Sequence, residues 1–382
     1  MSSIFARMAR VIDKKNYVNG EPNITLLNSL SARSMIESEI TETQNLIGSK
    51  KYSFRKLNVH EQSLIDSGDA SNVQIIQVEH DIFDDHQDVD GNFNRVFENR
   101  HLNDFVYSYS CLKDAIHGTA TSSIVISEEF GTAPNSEYFF TGRYKTMDQS
   151  GCPVKRETSS VQETLERLVE EVQRGERFHP GDIVTISLQS VTGPNGKLLP
   201  IDFDGRHFAA LETLYEFGLI VFIAAGNSGV NLDTIQGDTS EVYPEEYKKR
   251  GKKSGAIKVG YSGIHWKNRC SSNHGSLVKF FAPTGSLRAA CYNYSQKNRQ
   301  TDLIEAFSPG FGKSSAATPV IASIAAKIQS AYKFAHGETN HLTSGQICKI
   351  MCNPKNSVKP INDGNDIGVF PIVSRCINEV LE

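Results

Sequence analysis

Five short apolar runs recur along the chain, each about the length of one β-strand. They are VQIIQV (73–78), DIVTISL (182–188), LIVFIAA (219–225), AIKVGY (256–261) and VKFFA (278–282). Val, Ile and Phe dominate these runs with little polar alternation, which is typical of strands covered on both faces. The pattern therefore predicts a mainly parallel β-sheet.

A helical pattern lies between the first two of these runs. From 161 to 174 apolar residues recur at helical spacing, Ser160 with Glu163 fits a capping box, and Gly175 fits a helix stop. Strands that alternate with such helices predict an α/β fold in which helices cover both faces of the sheet.

The N-terminal part of the chain differs from the rest in its polarity and periodicity. Residues 1–70 are polar and weakly periodic, so we expect an N-terminal extension or a propeptide there, and a single large domain over 71–382. No apolar signal segment follows the first residues, and no run approaches the length of a membrane span. We therefore expect an intracellular protein without a membrane span.

Charge and cysteine usage narrow the function classes. The formal net charge is −4 and the pI is about 6.3, which gives no reason to expect a nucleic-acid partner. Seven cysteines cannot all pair, and none lies in a CxxC metal-type repeat. Reduced thiols are the simplest account, and they also favour an intracellular location.

The stretch SPGFGKSSAATP (308–319) has two interpretations. Its Gly-Lys-Ser (312–314) resembles the end of a phosphate-binding loop, which would indicate an NTPase. Such a loop needs a glycine at position 307, where this chain has Phe307, so the sequence disfavours it. Alternatively, Ser315 is a nucleophile that opens a helix of small residues whose first turn contains Pro319.

Several ordered blocks of the chain match the motifs of one enzyme family. GKSSAATP is similar to the nucleophile motif G-T-S-x-A-[TS]-P of the subtilisin-like serine proteases, the subtilases, with Ser315 at the nucleophile position. HGTATSSIVIS resembles the block of the catalytic histidine, here His117, and IVFIAAGNSG the block of the oxyanion-binding asparagine, here Asn227. The blocks run in family order from about 73 to at least 330, so the resemblance implies a subtilisin-like peptidase domain.

Two carboxylates compete for the third triad position, because the first strand runs into VEHD. Glu79 and Asp81 point to the same side of an extended segment, so alternation cannot choose between them. In the family the acid directly follows a six-residue apolar strand and precedes an H-P-D-like segment by seven positions. That spacing favours Glu79, with Asp81 as the alternative. A glutamate is chemically adequate, since the acid must only accept the imidazole N–H and stabilise the imidazolium.

The resemblance also implies where a substrate and a metal would bind. DIVTISLQS is similar to the strand that lines the substrate cleft, so Ser187, Leu188 and Gln189 are expected to pair with an extended peptide. Asp88 matches a position that binds structural calcium in some subtilases, although a solvated acidic loop is the alternative. The chemistry itself requires no cofactor.

The sequence therefore predicts a serine endopeptidase that acts on protein or peptide substrates. Two departures from the family leave a second hypothesis open, because Lys313 stands where glycine is usual and Glu79 where aspartate is usual. That hypothesis is a catalytically silent subtilase fold that binds peptides. The NTPase is the third and least favoured function.

Overall fold

The computed structural model describes most of the chain beyond residue 67. The described residues are 17–18, 21–22, 68–82, 86, 89, 92–96, 113–128, 131–142, 145–147, 153–158, 160–193, 196–235, 254–263, 271–284, 287–290, 307–360 and 366–382. The expected extension over 1–70 falls almost entirely outside them, and the boundary at residue 70 stays a prediction.

The strands of the described residues are mostly short. They are β1 (Tyr17–Val18), β2 (Glu21–Pro22), β3 (Gln74–Glu79), β4 (Asn94–Arg95), β5 (Glu137–Gly142), β6 (Lys145–Met147), β7 (Pro153–Thr158), β8 (Ile183–Ile186), β9 (Gln189–Gly193), β10 (Lys197–Pro200), β11 (Ile220–Ala224), β12 (Ile257–Ser262), β13 (Val278–Pro283), β14 (Leu287–Ala290), β15 (Phe307–Phe311), β16 (Ser357–Val358) and β17 (Phe370–Pro371).

Helices alternate with these strands. They are α1 (Lys113–Ile126), α2 (Val161–Arg174), the 3-10 helix Ile201–Phe203, α3 (Gly205–Glu216), α4 (Lys313–His336), α5 (Ser344–Cys352) and α6 (Val373–Leu381). The prediction for 161–174 is confirmed: Ser160 and Glu163 form a complete capping box, and Gly175 ends α2 in the left-handed conformation.

A seven-stranded sheet forms the centre of the described part. Its order is β13-β12-β11-β8-β3-β5-β4, and every pairing in it is parallel. Parallel strands need crossover connections, and the helices supply them. The remaining strands form antiparallel pairs, among them β9 with β10 and β14 with β15.

Helices cover both faces of the central sheet. Ile183 belongs to an apolar cluster that includes residues of α1 and α4, while the next residue, Val184, belongs to a cluster with residues of α2 and α3. Successive strand residues thus enter opposite cores, which explains the absence of polar alternation in the sequence. The predicted doubly covered α/β fold with a mainly parallel sheet is confirmed.

Candidate active site

The candidate residues lie near β3 and β8, where the order of strands in the central sheet changes direction. The chain passes from β3 to β5 on one side, and then from β8 through β11 and β12 to β13 on the other side of β3. In open α/β sheets the crevice at the carboxyl ends of such strands is the usual binding position. Glu79 ends β3 and Ser187 directly follows β8, so both lie at this crevice.

Glu79 and His117 are in direct contact. The Glu79 Oε2 atom lies within hydrogen-bond reach of His117 Nδ1. The glutamate side chain is 0% exposed whereas the histidine side chain is 35% exposed. The imidazole is therefore held from the buried side and reaches the crevice with its other edge. Asp81, the alternative acid, instead accepts the N–H of Ile82 at 2.8 Å through Oδ1.

This contact shifts both pKa values in favour of an ion pair. Burial alone would raise the pKa of Glu79, but the charge and hydrogen bond of His117 outweigh it and hold that pKa below its ordinary value. For His117 burial alone would lower the pKa, but the Glu79 carboxylate raises it above the ordinary histidine value. The pair thus stabilises an imidazolium, the state that a general base reaches after it takes a proton.

A close approach of α1 to β3 brings the two side chains together. A Cβ atom on Gly118 would lie 1.9 Å from the carbonyl oxygen of Asp81, so only glycine fits beside that backbone. A buried hydrogen-bond network also fixes the spacing between α1 and β3. Gln77 donates to Thr121 Oγ1 at 2.6 Å, and Thr121 donates to the carbonyl of His117 at 3.0 Å.

The imidazole is also packed from the side of β15. The ring of Phe311 meets the ring of His117 edge-to-face, with centroids 5.6 Å apart and an interplanar angle of 70°. Sequence reasoning missed Phe311 and Thr121 as groups that orient the histidine. The block that contains the histidine does include Thr121, but no local pattern indicates its partner on β3.

Ser315 lies in the first turn of α4, which starts at Lys313. Pro319 is consequently the seventh helical residue and not part of the first turn, so that expectation is wrong. Lys313 adopts φ 64°, a left-handed conformation that is unusual outside glycine. Its N–H and C=O are both tied to Thr284, at 3.3 and 2.9 Å.

The proline also changes how the serine backbone is held. Pro319 has no N–H, so α4 cannot supply the usual i−4 hydrogen bond to the carbonyl of Ser315. Ser187 replaces it, since its Oγ donates to the Ser315 carbonyl at 2.8 Å. The end of β8 is thereby fixed directly to the residue that carries the candidate nucleophile.

The Ser315 hydroxyl has two partners in the described residues. It donates to the carbonyl of Ser187 at 3.3 Å, and Gln189 Nε2 lies 3.5 Å from its Oγ. In the described part of the chain no hydrogen bond joins Ser315 Oγ to the ring of His117. Catalytic hydrogen bonds are often long or poorly aligned without substrate, so this geometry is compatible with a nucleophile and its base.

Asn227 contacts the same helix end. Its Oδ1 accepts the N–H of Ser314 at 3.1 Å and the Ser314 hydroxyl at 2.7 Å. Because a backbone N–H can only donate, the atom that faces Ser314 must be the amide oxygen. The Nδ2 group of Asn227 therefore points away from Ser314 and is available as a donor. Sequence reasoning considered Ser314 only as a phosphate-loop residue and missed this role.

The predicted substrate strand is shorter than expected. We predicted a strand that continues to Gln189, but β8 ends at Ile186 and β9, which begins at Gln189, pairs with β10. Leu188 is 5% exposed and packs in the core beneath α2 and α3, so its side chain is not available to a ligand. Gln189 is only partly buried and reaches Ser315.

The candidate calcium ligand Asp88 lies outside the described residues, so its role stays a prediction. Within the described ranges, no group of three or more His, Cys, Asp or Glu side chains is arranged to hold a metal ion. In those same ranges no helix combines the length and the apolar character needed to cross a bilayer.

The fold is similar to that of known proteases. A lanthipeptide protease matches with a TM-score of 0.52 and 18% identity, over 81% of this chain and 88% of that one. The prenylagaramide maturation protease PagA matches with a TM-score of 0.53 and 15% identity, over 85% and 99%. A cold-adapted subtilisin-like serine proteinase matches with 0.50 and 16%, over 78% and 89%. These identities show the fold alone.

Comparison at the level of sequence is more specific. No curated protein matches the chain. The model of the subtilase family, however, matches residues 63–355, which is most of the chain and includes every candidate residue named above. The chain therefore belongs to the subtilase family and is a serine-type peptidase.

Proposed function

We propose that this subtilase is an endopeptidase that uses Ser315 as nucleophile, His117 as general base and Glu79 as the acid that orients the base. The observation that carries the proposal is the contact of the buried Glu79 carboxylate with His117 Nδ1, at the sheet edge where α4 presents Ser315. A carboxylate at Nδ1 fixes the tautomer that leaves Nε2 free to accept a proton.

The steps follow from these positions. When a peptide carbonyl enters the crevice, Ser315 Oγ attacks its carbon and His117 takes the hydroxyl proton. His117 then returns a proton to the leaving amine, and water releases the acyl group by the same route. Glu79 stays ionised throughout, which its lowered pKa favours.

Two donors can stabilise the oxyanion that develops in these steps. One is Nδ2 of Asn227, whose oxygen is already occupied by Ser314. The other is the N–H of Ser315, which belongs to the first turn of α4 and takes no partner among the described residues. The positive end of the helix dipole favours negative charge at the same position.

An extended peptide would lie along the backbone from Ser187 to Gln189. This segment leaves the central sheet after β8 and passes directly beside Ser315. Main-chain hydrogen bonds between this segment and the peptide would hold the peptide in an extended conformation, with its scissile carbonyl beside the nucleophile.

A fluorophosphonate probe tests this assignment, because only an activated serine reacts with it. We expect labelling of the wild type on the peptide that contains Ser315, and no labelling of Ser315→Ala. Ser314→Ala is the matched control, one residue away on the same helix turn. It removes the hydroxyl bond to Asn227 but keeps the N–H bond, so labelling should be slower but still present. Labelling that survives in Ser315→Ala, or that is absent from the folded wild type, would contradict the proposal.

A further inference from the structure

The turn that carries Asn227 lies beyond the end of its strand, and a few main-chain hydrogen bonds tie it to the segment 271–274, among them the N–H of Gly229 to the carbonyl of Ser271 at 3.0 Å. It follows β11, which ends at Ala224, and it includes Gly226 at φ 103° and Gly229 at φ 65°. Glycines in the left-handed region give a turn no intrinsic rigidity. An oxyanion donor must nevertheless be held in place before the reaction, because a group that reorganises during it contributes little.

A single buried side chain holds this turn from both sides. Asn273 is 0% exposed, and its Oδ1 accepts the N–H groups of Ser228 at 3.0 Å and Val230 at 3.1 Å. Its Nδ2 donates to the carbonyl oxygens of Ala225 at 2.8 Å and Leu198 at 2.7 Å. All four hydrogen bonds go to backbone groups, so they restrain the path of the chain before and after Asn227.

These four partners require both an acceptor and two donors from the side chain at position 273. Backbone N–H groups can only donate and carbonyl groups can only accept, so the orientation of the Asn273 amide is determined, and its donors and its acceptor are all used. The main chain is tied as well, since the N–H of Asn273 donates to the carbonyl of Gly226 at 3.0 Å. A Cβ atom on Gly226 would lie 2.3 Å from Asn273 Nδ2, so the turn and the amide fit only with glycine at 226.

The same amide connects the turn to the substrate side of the crevice. Leu198 belongs to β10, which pairs with β9, and β9 begins at Gln189 beside the Ser315 hydroxyl. The N–H of Leu198 also donates to the Ser228 hydroxyl at 2.7 Å. The amide of Asn273 therefore fixes the turn against a rigid neighbouring strand pair.

We propose that Asn273 is a positioning residue for catalysis, which holds the Asn227 amide where the oxyanion develops. The inference rests on the proposed function, since it gives Asn227 the oxyanion-binding role. Asn273 makes no hydrogen bond to Asn227 among the described residues and acts through the backbone on either side of it.

The test compares Asn273→Leu with a matched control elsewhere in the fold. Leucine keeps the approximate volume and removes all side-chain hydrogen bonds. Gln329 is the control, because it is also a 0% exposed amide bonded to backbone, namely Gly181 and Leu342. It lies 14 positions beyond Ser315 on α4, about 21 Å along the helix. We expect Gln329→Met and Asn273→Leu to lower the melting temperature comparably, as measured by circular dichroism.

Catalysis should distinguish the two variants. Asn273→Leu should lower kcat and the fluorophosphonate labelling rate about 10- to 100-fold with little change in KM, while folded Gln329→Met keeps wild-type rates. In an Asn227→Ala background, Asn273→Leu should cause no further loss, because the donor that it positions is gone. If Asn273→Leu does not fold, Asn273→Asp replaces it, since aspartate keeps both bonds that Oδ1 accepts.

Each failure has its own signature. A folded wild type that the probe does not label would refute the proposed function itself. A labelled wild type with an Asn273 variant that reacts equally fast would refute the positioning role alone. The role would also be refuted if the losses from the Asn273 and Asn227 variants multiplied in the double variant, because Asn273 would then act independently of Asn227.

Discussion

Replacement of Glu79 by glutamine should abolish most of the activity without loss of the fold. Gln keeps the size of a side chain that is 0% exposed, but it carries no charge to stabilise the His117 imidazolium and it can present the wrong atom to Nδ1. Loss of the triad carboxylate in a serine protease lowers kcat about 10⁴-fold, which corresponds to about 5.5 kcal/mol of transition-state stabilisation. We expect a loss of this order for Glu79→Gln.

Two further variants make the prediction specific to this position. Glu79→Asp retains the charge but withdraws it by about 1.5 Å, one carbon–carbon bond length. Misplacement by about 1 Å can cost 10²-fold, so the loss should lie between those of the wild type and the glutamine variant. Asp81→Asn keeps the oxygen that accepts the Ile82 N–H at 2.8 Å, and it should lower kcat/KM by less than about tenfold.

The pH profile supplies an independent readout. His117 must be neutral to accept a proton, and Glu79 raises the pKa of His117. The wild-type rate should therefore rise with pH through a value above the ordinary histidine pKa, and Glu79→Gln should move this limb to lower pH. The assay is kcat/KM on a fluorogenic peptide, with circular dichroism to verify folding. An equal or larger loss in Asp81→Asn, or an acid limb that Glu79→Gln leaves in place, would refute the assignment.

Two other predictions concern stability. Ser187→Ala should lower the free energy of unfolding by about 1–3 kcal/mol, because it leaves the Ser315 carbonyl without a partner. In that background Pro319→Ala should restore part of the loss, because it returns the helical N–H. Chemical denaturation of the wild type, the two single variants and the double variant measures this coupling, and strictly additive effects would contradict it. Burial raises the pKa of Asp182 from 3.8 to about 6, so the folded state binds more protons than the unfolded state between these values and stability falls as pH rises through them. Asp182→Asn should consequently be more stable than the wild type at pH 8, by up to about 3 kcal/mol, and similar below pH 4, and urea unfolding at the two pH values would expose the reverse order.

Five of the seven strands in the central sheet were predictable, because β3, β8, β11, β12 and β13 share an apolar signal, whereas β4 and β5 were not predicted. Residues such as Ile183 and Val184 enter opposite cores, so these five strands are mainly apolar and stand out from the polar segments around them. The α2 helix was equally accessible, since the cap formed by Ser160 and Glu163 is a local interaction. Both features depend on neighbours in the sequence.

Features that depend on distant partners were not predictable in the same way. The helix α4 begins at Lys313, and nothing in the composition indicates the left-handed backbone of this residue. β8 ends at Ile186, and the next residue, Ser187, is bonded to Ser315, 128 positions later. Asn273 escaped notice because its partners are backbone groups, one of them in Leu198, 75 positions earlier.

The preference for Glu79 over Asp81 came from spacing within the family, and it stays a prediction. β3 includes Glu79 as its last residue, while Asp81 lies beyond the strand and accepts the N–H of Ile82 through Oδ1. Alternation alone treats both as equivalent because it assumes an extended segment that continues past position 79.

The replacement of a helical hydrogen bond by Ser187 has a mechanical consequence. A serine held only by its own helix would shift whenever the first turn frayed, which is the commonest local opening of a helix. Here the carbonyl of Ser315 is also hydrogen-bonded to Ser187 at the end of β8, and this bond does not depend on the helical hydrogen bonds around Lys313. A force that a bound peptide exerts on the end of β8 would therefore act through this hydrogen bond on the residue that carries the attacking oxygen.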